Sequence, residues 1–127
     1  MILLDASVLI AQLDERDALH ARAQEALLET ADQPLGCSAI TLAEVLVGPA
    51  RQGRLDAARA ALAELEIGEV GFGNDAAVRL AQLRADTGLK LPDCCVLLAA
   101  QDAAADAVLT FDDALALAAE RLRLGEL

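Results

Sequence analysis

Aromatic side chains are almost absent from this 127-residue sequence, which has two Phe, no Tyr and no Trp. A surface that captures single-stranded nucleic acid by stacking needs rings, so that mode of binding is excluded. Positive charge is scarce as well. Ten Lys and Arg stand against 21 Asp and Glu, a formal charge of −11, and no basic stripe is available for broad phosphate-driven binding. Cysteine is limited to Cys37, Cys94 and Cys95. An odd count without Cys-x-x-Cys spacing reads as small buried thiols rather than a disulfide framework. His20, the single histidine, has no cysteine partner at zinc spacing, which argues against a zinc site and for an ordinary polar residue on a surface helix. The longest apolar runs, such as Cys94 to Ala100, fall far short of the roughly 18 residues of a membrane span. Met1-Ile2-Leu3-Leu4 meets Asp5 without the basic segment or cleavage site of a secretory signal, so a cytosolic chain with no membrane anchor is expected.

What the sequence has in quantity is apolar residues, 56% of the total. At this length one domain, residues 1–127, can bury roughly two-thirds of its unfolded surface without disulfides or a structural metal. Disorder is excluded on the same ground, and no repeat or low-complexity linker marks a second domain. Short branched-apolar segments alternate with helical patterns. Strands are predicted at Ile2–Leu4, Leu35–Ser38, Ile67–Val70 and Ala107–Thr110, with a further one at Arg121–Leu124. Helices are predicted over 7–13, 17–31, 41–50 and 55–65, from a cap at Asn74 to a left-handed stop at Gly88, from Pro92 to about Ala104, and over 112–119. Strands separated by helices require crossover connections, hence an α/β fold with a mostly parallel sheet between helix layers.

The surplus carboxylates suit hard divalent cations. Sites in open parallel sheets form at the carboxyl ends of strands, where strand order reverses. Asp5 follows the first strand and Asp112 the fourth, in Thr110-Phe111-Asp112-Asp113. Glu44 lies about one turn into the helix after the second strand, and Asp93 opens the helix before the fourth. Taken singly, Asp5 and Asp112 read equally well as helix caps, and Asp93 as a partner of the helix dipole. Glu44 stands among Leu42, Ala43, Val45 and Leu46, so it either faces solvent, in a polar stripe with Thr41, Gly48 and Arg51, or is compensated where it is buried. Taken together, four acids converging on one rim repel unless a cation is present. All-oxygen ligands select Mg²⁺ or Mn²⁺, and one or two such ions suit phosphodiester hydrolysis.

These pieces, Leu4-Asp5-Ala6-Ser7, then Ser38, Thr41, Glu44 and Gly48, then Asp93, then Thr110-Phe111-Asp112, resemble the PIN-domain ribonucleases, and more closely the VapC toxins of bacterial toxin-antitoxin pairs. The resemblance covers nearly the whole chain. It implies an α/β/α sandwich and a Mg²⁺- or Mn²⁺-dependent endoribonuclease, with Asp5, Glu44, Asp93 and Asp112 as the catalytic and metal-binding quartet. Ser7 and Thr110 would be supporting hydroxyls, and Asp113 stands beside Asp112 as an alternative fourth ligand. The likeness also implies a homodimer and a small antitoxin whose tail covers the acidic rim. Arg51, Arg54 and Arg59, close together after the Glu44 helix, are either RNA-steering cations or solvated arginines paired with Asp56 and its neighbours.

Two other classes compete. A receiver-type phosphoacceptor domain also carries a magnesium site at strand ends. It wants an acidic pair after the first strand and a lysine after the last, whereas Asp5 has no acidic neighbour and the only lysine is Lys90. A non-catalytic PIN-like interaction module would not need all four acids.

Overall fold

The structure, a computed structural model, describes residues 1–126, with the backbone alone for 123–126. Leu127, the end of the predicted domain, lies outside the described residues. The elements run β1 (Ile2–Leu4), α1 (Ala6–Leu13), α2 (His20–Glu29), β2 (Leu35–Ser38), α3 (Ala39–Arg51), α4 (Leu55–Glu64), β3 (Ile67–Val70), α5 (Ala76–Thr87), α6 (Leu91–Asp102), β4 (Ala107–Leu109) and α7 (Asp113–Glu126). Among the described residues no helix is long and apolar enough to cross a membrane.

The sheet is parallel throughout, in the order β3-β2-β1-β4. Ile2 of β1 is registered with Leu35 on one side and Ala107 on the other. Because successive residues of a strand face opposite ways, β1 divides its isoleucine and two leucines between two cores. Ile2 and Leu4 join Val8, Leu9, Leu27, Val45 and Leu62 of α1 to α4. Leu3 joins Leu83, Leu97, Leu98 and Leu115 of α5 to α7. This division follows from chain direction. The chain moves outward from β1 to β2 to β3, then reverses to place β4 on the far side of β1, and right-handed crossovers of opposite direction put their helices on opposite faces. The α/β fold with helices on both faces of a parallel sheet is the one expected.

Local chemistry sets the helix ends. Ser38 Oγ accepts from Thr41 N at 3.1 Å to cap α3, Pro92 sits in the first turn of α6, and Gly88 closes α5 with φ 72°.

Three expectations need correction. The predicted strand at Arg121–Leu124 is part of α7, because Leu115, Ala118, Ala119 and Leu122 pack at helical spacing into the second core. The predicted cap at Asn74 is displaced, since Asp75 takes that position at φ 60° without a side-chain cap bond. The helix predicted over 17–31 starts at His20, because Asp17 turns the chain first by accepting from Leu19 N at 2.8 Å.

Candidate active site

The strand order reverses between β1 and β4, and the acidic rim stands at the carboxyl ends of these two strands. Asp5 leaves β1 in extended backbone (φ −90°, ψ 156°) and occupies the N-cap position of α1, but its side chain does not cap that helix. Instead Asp5 Oδ2 accepts from Ser7 Oγ at 2.8 Å and from Thr110 Oγ1 at 2.7 Å. Asp5 is 8% exposed, and among the described residues its Oδ1 receives no hydrogen bond. The capping reading of Asp5 therefore does not hold. One carboxylate oxygen is anchored by two hydroxyls, and the other is left to the cleft.

The same hydroxyls brace the segment after β4. Ser7 Oγ accepts from Phe111 N at 3.1 Å and Thr110 Oγ1 from Asp112 N at 3.0 Å. Asp112 Oδ1 then accepts from Leu115 N at 3.1 Å, so Asp112 caps α7 with one oxygen and keeps the other. Asp113 is exposed in the first turn of α7 and enters none of these bonds.

Glu44 reaches the rim from α3 and Asp93 from the first turn of α6. Loss of solvent raises the Glu44 carboxyl above its ordinary value, and the charges of Asp5 and Asp93 raise it further. Asp93 is raised in the same way, first by loss of solvent, then by Asp5 and Asp112, with Lys90 in partial opposition. The four acids are thus within one another's fields, although Glu44 and Asp112 stay open to solvent. Among the described residues none of the four is held in an ion pair.

The predicted stripe of Thr41, Glu44, Gly48 and Arg51 is split. Glu44, Gly48 and Arg51 face solvent, but Thr41 turns inward, fully buried. Its hydroxyl lies 2.9 Å from that of Ser38, also fully buried. This pair pins the β2–α3 junction that carries Glu44, and the Ser-x-x-Thr spacing at a strand-to-helix boundary was its sequence signal. Beside it, Cys37 is inert: burial first, then Asp5, pushes its thiol up to about 12, so no thiolate nucleophile is available. Cys94 and Cys95 are buried and raised mainly by burial, as packing residues are.

The donor chemistry fits a hard divalent ion: carboxylate oxygens only, no thiolate and no imidazole. Among the described residues no three His, Cys, Asp or Glu side chains stand close enough together to hold a metal ion between them. Mg²⁺ does not require such a group, since it keeps several waters and takes one or two carboxylates directly.

A groove of about 610 Å³ adjoins the rim between α1, α3 and α4. Glu44 stands in its wall with Ile10, Leu13, Val45 and Pro49, and Arg16 and Arg54 border it. Arg51 and Arg59 lie outside it and are exposed. None of Arg51, Arg54 and Arg59 forms an ion pair among the described residues, so the pairing with Asp56 considered for them is not formed.

A family model described as the PIN domain matches residues 2–121. Comparison with curated proteins gives no significant match. Among solved structures, a chain of a toxin-antitoxin complex from Klebsiella pneumoniae is 27% identical, with a TM-score of 0.70 over 87% of this chain and 97% of that one. VapC20 of Mycobacterium tuberculosis, a sarcin-ricin loop cleaving toxin, is 17% identical, with a TM-score of 0.73 over 93% of this chain and 95% of that one. FitAcB from Neisseria gonorrhoeae is 23% identical, with a TM-score of 0.70 over 94% of each chain. The last two likenesses, at such identities, concern the fold alone.

Proposed function

This chain belongs to the PIN-domain family, and from that membership we propose that it is a Mg²⁺- or Mn²⁺-dependent endoribonuclease, the toxin of a toxin-antitoxin pair. The observation that carries the reading is the electrostatic coupling of Asp5, Glu44, Asp93 and Asp112 at the strand-order reversal, without a salt-bridge partner for any of them among the described residues. Carboxylates so arranged cost stability unless positive charge arrives.

In this reading Asp5, Glu44, Asp93 and Asp112 would hold the ion, directly or through its waters. When bound, the ion supplies charge against a phosphate and lowers the pKa of water. The protein's own part is orientation. Ser7 and Thr110 fix Asp5 by one oxygen, and the α7 N-terminus fixes Asp112 by one oxygen, so each presents the other. Arg54, at the groove beside Glu44, is a substrate-steering cation, with Arg51 further out. Hydrolysis would leave a 5′-phosphate and a 3′-hydroxyl.

The partner reading draws on the Klebsiella complex and on the groove beside Glu44, whose apolar wall suits a small antitoxin's tail. A homodimer, a cytosolic location and a single domain over residues 1–127 complete the proposal. The receiver-type alternative gains no support, since Lys90 precedes α6 rather than following β4.

The test is cleavage of single-stranded RNA by purified protein with Mg²⁺ or Mn²⁺, beside a chelated control and Asp93→Asn. Metal-dependent cleavage that Asp93→Asn loses supports the reading. Cleavage that survives both chelation and Asp93→Asn refutes it.

A further inference from the structure

Arg22 projects from α2 at an exposed position, and its Cζ lies 4.5 Å from the centroid of the Phe111 ring. Phe111 is itself fixed. Its backbone N–H donates to Ser7 Oγ at 3.1 Å, and its side chain packs against the first core. The residues on either side of it are Thr110, which holds Asp5, and Asp112. The Arg22 guanidinium is therefore held on the residue that joins Thr110 to Asp112.

Carboxylates do not hold it there. Among the described residues Arg22 has no ion pair, although Glu25 follows one turn later on the same helix. The ring face holds it instead, through a cation–π contact. A guanidinium stacked on a ring keeps its N–H edges free, and their fork geometry matches a phosphate bidentately. The position beside Phe111, rather than among the four acids, suits a phosphate next to the one being cleaved.

We propose that Arg22 is a substrate-positioning residue, whose guanidinium, laid on Phe111, takes an RNA backbone phosphate flanking the scissile bond. The proposal rests on the ribonuclease reading above. Its physical purpose is clear in a chain of −11: a polyanion approaching an acidic rim is repelled unless a fixed cation receives it.

The experiment measures kcat and KM on a single-stranded RNA oligonucleotide with Mn²⁺ across a salt series, for wild type, Arg22→Ala, Arg22→Lys and Phe111→Leu. Arg22→Ala is expected to raise KM about tenfold, as loss of one charge-assisted contact does, with kcat within about twofold of wild type. Its log–log salt dependence should become shallower by about 0.7, the increment for one phosphate contact on a single strand. Arg22→Lys should recover the salt dependence but only part of the KM, because it keeps the charge and loses the fork. Phe111→Leu should raise KM while keeping the charge. Thermal midpoint and Mn²⁺ affinity of Arg22→Ala should match wild type. Wild-type KM and salt dependence in Arg22→Ala overturn the proposal, as does a fall in kcat with KM unchanged. A wild type that cleaves no RNA overturns the ribonuclease reading instead, and this proposal with it.

Discussion

Thr110 Oγ1 donates to Asp5 Oδ2 at 2.7 Å across 105 residues of sequence, tying the end of β4 to the end of β1 at the point where the sheet changes direction. Ser7 donates to the same oxygen, so Asp5 is held from both sides of the reversal. Replacing Thr110 by Val keeps the shape, removes one of these two bonds and also removes the acceptor of the exposed Asp112 N–H. Thermal or urea denaturation should show a loss of about 1 kcal/mol. RNA cleavage should fall about tenfold as Asp5 gains freedom to rotate. Unchanged cleavage in a folded Thr110→Val protein would show that Asp5 needs no such anchor.

Glu44 and Asp93 are both raised above their ordinary values of 4.5 and 3.8. A carboxyl raised on folding binds more protons in the folded than in the unfolded state between those two pKa values, so stability falls as pH rises through that window. The cation-free protein should therefore lose stability from these groups as pH climbs past the ordinary carboxylate range, and Mn²⁺ should restore it at neutral pH. Glu44→Gln removes one member of the repelling set. Its cation-free form should melt higher than wild type at neutral pH, show a shallower pH dependence, and gain less from Mn²⁺. Denaturation midpoints across a pH series, with and without Mn²⁺, check the sign of each change.

Asp112 and Asp113 are adjacent but not equivalent. Asp112 accepts from Leu115 N and its charge reaches Asp93, whereas Asp113 does neither. Asp112→Asn keeps a cap-forming oxygen and loses the charge, so cleavage should drop at least tenfold with the melting point nearly unchanged. Asp112→Ala should in addition cost about 1 kcal/mol through the lost cap. Asp113→Asn should cleave within about twofold of wild type. The reverse ranking of the two Asn variants would identify Asp113 as the working acid.

Ala104 stands at φ 49° just beyond α6, a left-handed conformation that costs a residue with a Cβ about 1 kcal/mol. The last turn depends on it, since Ala104 N donates to Gln101 O at 3.1 Å and Ala105 N to Ala100 O at 2.9 Å. Ala104→Gly should raise the melting point by an amount equivalent to about 1 kcal/mol, with cleavage unaffected because α6 presents Asp93 from its opposite end. A lower melting point would show that chain entropy outweighs the relieved strain.

The strands Ile2–Leu4, Leu35–Ser38 and Ile67–Val70 were legible because each opens on a branched apolar residue between helical patterns and is stopped by a turn residue or a helix start, although Glu69 interrupts the third. Arg121-Leu122-Arg123-Leu124 misled because a period of two imitates a strand. The competing helical spacing from Leu115 to Leu122 is visible only once the second core is assembled. Placing Asp5 and Asp112 at strand ends followed from the order of elements alone. The Thr110–Asp5 bond did not, because it requires β4 to lie beside β1, and no local pattern specifies that pairing. The inward turn of Thr41 and the stacking of Arg22 on Phe111 were hidden for the same reason: each depends on what lies opposite, not on neighbours in the chain.

RNA cleavage by the Asp5-centred rim with the help of a divalent cation underlies every role proposed for these residues. Mapping new 5′ ends in total cellular RNA, after incubation with wild type or Asp5→Asn in Mg²⁺ or Mn²⁺, tests it most directly. Wild type should give a small set of discrete 5′-phosphate ends that vanish on chelation and are absent with Asp5→Asn. The same ends appearing with Asp5→Asn, or none with wild type, would contradict it.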